Sequence, residues 1–315
     1  MNLKNLAIGS LLATSLIFVG CGDDDTTPMV DAGGADVPAV DTGPIDTDAG
    51  PPEALPGCDG ECFFVVNELN IPSPDPSDGT VIGANLDMEV TAAGDPGGCG
   101  VEDYVHPDGT EGVDNALARI LPIIEGMLDE PIGDQLSGQI SDGGLLITVA
   151  LTGVDGANDS EVMGILYPDG AIPGDAAPVL EDGRLAPGQT IDIDSEAINI
   201  PGAIVDGRFT ASLPNFPVEI PLDEDAPLVL NVSQAIFSGD ITENGLENGQ
   251  IAGSLSIEEL AAAIGAADVG IDEEGALGIL QGFGDLEPNP EGTICARISL
   301  GLGYNAVPAI QGDTL

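Results

Sequence analysis

Six oxygen-bearing side chains fall within fourteen residues: Glu102, Asp103, Asp108, Glu111, Asp114 and Asn115. A calcium ion takes six to eight oxygens, so this density is what a loop must offer to wrap one. Asp103, Asp108, Glu111, Asp114 and Asn115 are the candidate ligands. The run does not follow the spaced pattern of a helix-loop-helix calcium hand. A competing reading gives each residue a local role, in which Asp108-Gly109 makes a turn, Asp114 caps a helix and the others meet solvent. Two further acidic loops, around Asp155 to Glu161 and over 284–292, offer the same choice with fewer oxygens.

Other chemistries are restricted by what the chain lacks. His106 is the only histidine, which removes two-histidine zinc motifs, and no G-x-S-x-G turn supplies a nucleophile to it. The one lysine, Lys4, lies in the first few residues, so neither a phosphate-binding loop nor a Schiff base can be built further on. Carboxylate pairs are plentiful among 55 acids, so a polysaccharide-directed hydrolase working with two of them is the alternative reading. Sugar sites commonly present aromatic faces, and the chain holds seven Phe, three Tyr and no Trp.

The formal net charge is −50, from five basic and 55 acidic residues. Such a surface repels nucleic acid, whose binding needs cations to displace phosphate counterions. It favours divalent cations, cationic partners and water.

The N-terminus carries one cation, an apolar stretch from Leu6 to Val19, and then Phe18-Val19-Gly20-Cys21. The stretch is short for a bilayer span of about 20 residues and has the make-up of an export signal. The four residues ending in Cys21 resemble the bacterial lipoprotein lipobox, with Phe in place of the usual Leu. The resemblance implies cleavage before Cys21, acylation of its sulfur and anchoring in a membrane through lipid. Gly22 after the cysteine, without the acidic residue of inner-membrane retention, points to the outer membrane. Removal of residues before Cys21 takes Lys4 with it, leaving four arginines against 55 acids, or −51. Two stretches, "CGVEDYVHPDGTEGVDNALARI" and "ICARISLGLGYNAV", are also similar to acidic secreted bacterial lipoproteins of uncharacterised activity.

These readings divide the chain into a signal with lipidated Cys21 (1–21), a disordered Asp/Pro/Gly-rich tether (22–57) and a folded, disulfide-braced domain (58–315). The tether lacks aromatics and cations, so it cannot bury enough apolar surface to offset chain entropy. Four cysteines remain for two disulfides. A hairpin of 62–71 with 80–91 would join Cys62 to Cys99 and leave Cys58 to Cys295; closure of Cys58 with Cys62 is the rival pairing.

The elements that must position these residues are mostly strands. β-rich runs occur at 62–71, 81–90, 145–154, 160–167, 189–200, 203–213, 227–241, 250–257 and 294–307. Asp-Gly or Asn-Gly turn signals recur at 142, 155, 169, 182, 206, 244 and 248. The pattern predicts a mainly β domain, an antiparallel sandwich or jelly roll. Scarcity of aromatics argues against a membrane-spanning barrel with its aromatic girdles. Two helical segments interrupt the strands. Residues 112–128 show a helical apolar period with Asp114 as N-cap and Pro122 inside. Residues 256–283 open on Ser256 and Glu259, a capping box, and hold a second shorter helix from about 272. The functional expectation is an envelope-anchored lipoprotein displaying a non-catalytic binding or structural domain, steadied by calcium, with an unknown protein or glycan partner.

Overall fold

Alternating apolar residues give most of the runs one face to bury, and eight strands do so in a single sheet. The computed structural model describes residues 55, 58, 60–71, 79–126, 131–220, 228–266 and 271–315. The eight strands are β1 (Gly60–Asn70), β2 (Thr148–Val154), β3 (Asp159–Tyr167), β4 (Ile198–Val205), β5 (Arg208–Ile220), β6 (Leu228–Thr242), β7 (Gly245–Ser256) and β8 (Cys295–Pro308). Each pairs antiparallel with its neighbour in chain order, and β8 pairs back onto β1 from Phe64↔Pro308 to Asn70↔Gly303. The mainly β, antiparallel expectation holds. The strands form one sheet closed on itself, a barrel-like arrangement, rather than the two facing sheets of a sandwich or jelly roll. Closure removes the free edges that an open sheet of this size would expose.

Register assigns the faces. Phe64↔Val149, Val149↔Leu166, Ile200↔Gly164, Ile204↔Phe209, Ala211↔Phe237, Phe237↔Ile251 and Gly249↔Tyr304 all point inward. The interior is therefore aliphatic and aromatic. Thr152, Asn199, Thr210, Ser212, Gln250, Ser254 and Ser299 alternate with these residues and point outward. A barrel that crosses lipid has the reverse arrangement, an apolar outside around a polar lumen. Among the described residues no helix is long and apolar enough to cross a membrane.

Glycines make room for the few rings. A Cβ on Gly164 or Gly202 would meet the Phe209 ring at 2.8 and 2.7 Å. One on Gly249 would lie 2.6 Å from both the Tyr304 ring and the Tyr304 carbonyl. Gly249 follows Asn248, whose φ of 49° marks a bulge in β7. So "ENGQ" is a seat for Tyr304 as well as a turn signal. Gly249→Ala should cost about 2 kcal/mol by overpacking, with part recovered when Tyr304→Leu is added. Thermal melts of the two variants test this; an unchanged midpoint for Gly249→Ala would refute it.

Turn chemistry is confirmed in places and corrected in others. Asp206-Gly207, with φ of 50° and 81°, is the two-residue turn between β4 and β5. Asp182-Gly183 turns a small hairpin of Leu180–Glu181 with Arg184–Leu185 in the same way. Asp142-Gly143 instead ends a helix, Gly143 taking the left-handed C-cap position.

Three insertions decorate the barrel. Between β1 and β2 lie a strap over 79–116 and two helices, α1 (Leu117–Glu125) and α2 (Ile132–Asp142). Helix α2 was not anticipated, because only Leu136 and Ile140 of its eleven residues are buried apolar positions. Between β3 and β4, strands Gly170–Ala171 and Thr190–Ile193 join the C-terminal Ile310–Thr314 in a small sheet. Between β7 and β8 come α3 (Ile257–Ala266) and α4 (Glu273–Leu280), then a short strand, Leu286–Pro288, on β8. Ser256 Oγ accepts from the Glu259 amide, as the sequence predicts, and Asp272 caps α4.

The expected strand over 81–90 does not form; this stretch meets later parts of the same strap through isolated bridges, Thr80↔Val105 and Ala84↔Asp114. The neighbours of β1 are β2 and β8, so no hairpin carries Cys62 to Cys99. Cys99 bonds to Cys295 at the start of β8, and Cys58 closes locally on Cys62. The pairing of Cys62 with Cys99 and Cys58 with Cys295 is thus corrected. Leu55, inside the expected tether, is 7% exposed, and the Gly207 turn lies against it. Cys21 and the tether up to residue 54 lie outside the described residues.

Candidate functional site

The strap crosses the outer face of β8, where backbone can approach backbone because Gly301 has no side chain. A Cβ there would meet the Ile82 carbonyl at 2.6 Å and the Asn115 amide at 3.0 Å. Asn115 donates to the carbonyls of Ile82 and Gly301, at 2.7 and 3.1 Å. Its Oδ1 also accepts from the Ala118 amide at 3.3 Å, so Asn115, rather than Asp114, caps α1.

Asp114 is turned elsewhere. Its Oδ2 accepts from the Leu86 amide at 2.6 Å, pinning the strap to itself. Asp103 Oδ2 accepts from the Thr91 amide at 2.6 Å. Asp285, just ahead of the short Leu286–Pro288 strand, accepts from the Ser299 amide at 2.9 Å and from the Ser299 hydroxyl in a second, short bond. Ser299 Oγ in turn accepts from the Ala116 amide at 2.7 Å. The chain Asp285–Ser299–Ala116 thereby ties barrel wall to strap. Of the buried polar residues, Thr91, Asp114, Asn115, Asp285 and Ser299 all belong to this layer.

Electrostatics follow from burial with little compensating charge. Burial pushes the Asp114 carboxyl up to about 7, against the Leu86 amide and with help from the charges of Asp87, Asp103 and Asp285. Burial pushes Asp285 up to about 6 although Ser299 donates to it twice. Asp103 is raised by burial as well, while the Thr91 amide, a hydrogen bond from Asp114 and the charge of Arg119 oppose the rise. Arg119 sits 4.5 Å over the Tyr104 ring and donates to the Glu102 carbonyl. Burial therefore moves the Asp114 and Asp285 carboxyls toward the neutral range while strap and barrel-wall donors remain bonded to them.

The five expected calcium ligands are not gathered into one shell. Asp103 and Asp114 come together, but their oxygens are directed at strap amides. Asn115 presents its amide nitrogen to carbonyls. Asp108 is exposed on its own turn, pulled down to about 2 by the Thr110 amide and hydroxyl and by His106, 2.9 Å away. Glu111 is exposed on a three-residue strand. Among the described residues no group of three or more His, Cys, Asp or Glu side chains is arranged to hold a metal ion. His106 serves the Asp108 turn, the local role that the sequence allows it.

Sequence reasoning placed Asp285 only within a loosely acidic loop and missed Ser299. The available signal was a hydroxyl at an outward position of an otherwise apolar strand, where a solvated serine looks the same.

Two concavities stand out among the described residues. One, of about 30 Å³, lies inside the barrel, lined by residues of all eight strands, among them Val66, Leu166, Phe209 and Tyr304. That is room for about one water molecule. The other is a shallow hollow on the outer wall of β3–β6 around Pro201, Thr210 and Ser212. Neither lining contains a carboxylate. Comparison with protein-family models, with curated proteins and with solved structures finds no match to this chain.

Proposed function

We propose that the chain is an envelope-anchored lipoprotein whose barrel domain is a non-catalytic binding or structural module. One observation carries the non-catalytic half: the interior is filled by side chains from all eight strands, and the raised carboxyls are engaged by backbone amides beneath the strap. Catalysis by a carboxylate pair needs both groups facing a cleft that admits substrate, and neither concavity supplies one. The anchoring half rests on the lipobox at Cys21 and the acidic spacer behind it. Gly22 favours the outer membrane, and the partner is a protein or glycan met by the domain's outer surface.

Anchoring predicts incorporation of radioactive palmitate into the chain, abolished by Cys21→Ser. More than one acyl chain is needed for stable residence in a bilayer, so the variant should also leave the membrane fraction. Label persisting in Cys21→Ser would remove the lipobox assignment.

A further inference from the structure

The two halves of the strap are fastened differently. The second half is tied to the barrel by the Asn115 amide on the Gly301 carbonyl and by the Ala116 amide on Ser299 Oγ, and the Cys99–Cys295 bond joins the middle to β8. The first half, 79–98, is held mainly by the second. The Val105 carbonyl accepts from the Val81 amide, Asp114 accepts from the amides of Leu86 and Asp87, and Asp103 accepts from Thr91. Ile82, in this first half, lies over β8, where a Cβ on Gly303 would stand 3.1 Å from its side chain.

The two carboxyls that hold the first half are hydrogen-bonded to each other. A carboxylate has no donor, so that bond exists only while one of the pair carries a proton. The charges around the pair are mostly of its own sign. Asp87 faces both members from the strap, and Asp285 faces Asp114 from just ahead of the Leu286–Pro288 strand. Among the described residues Arg119, on α1, is the cation that opposes them, and it is shared with the Tyr104 ring and the Glu102 carbonyl. The layer is also short of partners. Of the five buried polar atoms without a hydrogen bond among the described residues, three lie here: Asn85 Oδ1, Thr91 Oγ1 and Arg119 Nε. Each costs stability that water would restore on opening.

We infer that the first half of the strap is a latch on β8, closed while Asp103 and Asp114 share a proton and lifted, with Cys99 as its pivot, once both are charged. Two adjoining carboxylates repel, and lifting lets water reach them and the three unpaired atoms. The Cys99–Cys295 bond and the Asn115 and Ala116 contacts keep the movement short of unfolding. What it uncovers is the outer face of β8 at Gly301 and Gly303, a piece of wall without side chains. Burial sets the direction. Asp114, pushed up to about 7, keeps in the closed strap a proton that the open strap gives up. Closure is therefore complete below about 4 and is lost as pH climbs through about 7. For one such proton, opening grows about tenfold between pH 6 and pH 8. The latch works with or without the lipid anchor.

Hydrogen exchange of the full chain, followed by mass spectrometry at pH 6 and pH 8, tests this. EDTA and about 0.5 M salt are present, the salt to screen the exposed acids, and the intrinsic pH dependence of exchange is divided out. Peptides covering Val81 to Thr91 should exchange about tenfold faster at pH 8, while the β6–β7 ladder around Ile236 and Ala252 keeps its protection. Asp114→Asn supplies an amide that donates to Asp103 and an oxygen that accepts from Leu86 at either pH, so its strap should stay closed at pH 8. Asp103→Asn offers the same bond in reverse and serves if the first variant does not fold. Strap exchange indifferent to pH in the parent chain would overturn the proposal. So would loss of protection by strap and ladder together, or a folded Asn variant that responds to pH as the parent does.

Discussion

Replacing Cys99 and Cys295 together by serine should lower stability by about 4 to 5 kcal/mol, whereas replacing Cys58 and Cys62 should cost about 2. The difference lies in what each bond denies the unfolded chain. Cys99 and Cys295 are 196 residues apart, so their bond closes most of the domain into one loop; Cys58 and Cys62 are four apart. Chain-entropy loss grows with the logarithm of loop length, which puts the long loop well ahead. The long bond also acts in the native state. Cys295 opens β8 and Cys99 sits in the strap, held in the left-handed region at φ 52° between Gly98 and Gly100. Its loss frees the middle of the strap as well as the unfolded chain. Urea denaturation of the two serine pairs checks the order. Equal midpoints would mean that strap and barrel wall hold together without the link, and the assigned role of the bond would fail.

That bond also shows where sequence reading reached its limit. Apolar alternation located most of the barrel strands to within a few residues, since each run must bury one face whatever its partner. Asp206-Gly207 told how β4 meets β5, because two left-handed residues in succession permit little else. Closure was not legible: β1 meets β8 across more than two hundred residues, and no local preference encodes that register. The run 81–90 looks like a strand because Ile82, Ala84, Leu86, Met88 and Val90 alternate with the residues between them. Yet its backbone bonds to Asp114 and Val105 instead of to a ladder. Helix α2 escaped notice for the opposite reason, having too few apolar residues to show a period. At the candidate site the acidic loop was visible as an excess of oxygens. Its purpose could not be read, because Asp285 and Ser299 arrive from the far end of the chain.

The same buried carboxyls set the largest solution effect expected of the domain. Stability should fall by about 3 kcal/mol as pH rises from about 4.5 to 8. Unfolded, Asp114 and Asp285 titrate near the ordinary value of about 3.9; folded, they do so near 7 and 6. Between these limits the folded chain keeps protons that the unfolded chain has released. The stabilisation is complete below about 4 and is lost as pH climbs through 6 and then 7. Each unit of displacement corresponds to about 1.4 kcal/mol, and counting only about half of the full sum allows for relaxation and solvent near the strap. The general repulsion of a −50 chain acts in the same direction, so the two must be separated. Added salt weakens repulsion between exposed charges and leaves buried groups largely untouched. Asp114→Asn with Asp285→Asn removes the buried titration and leaves the surface charge almost as it was. The double variant should therefore flatten the pH dependence at high salt, where the parent chain still slopes. Parallel slopes for parent and variant at high salt would show that the strap is not fastened by protons.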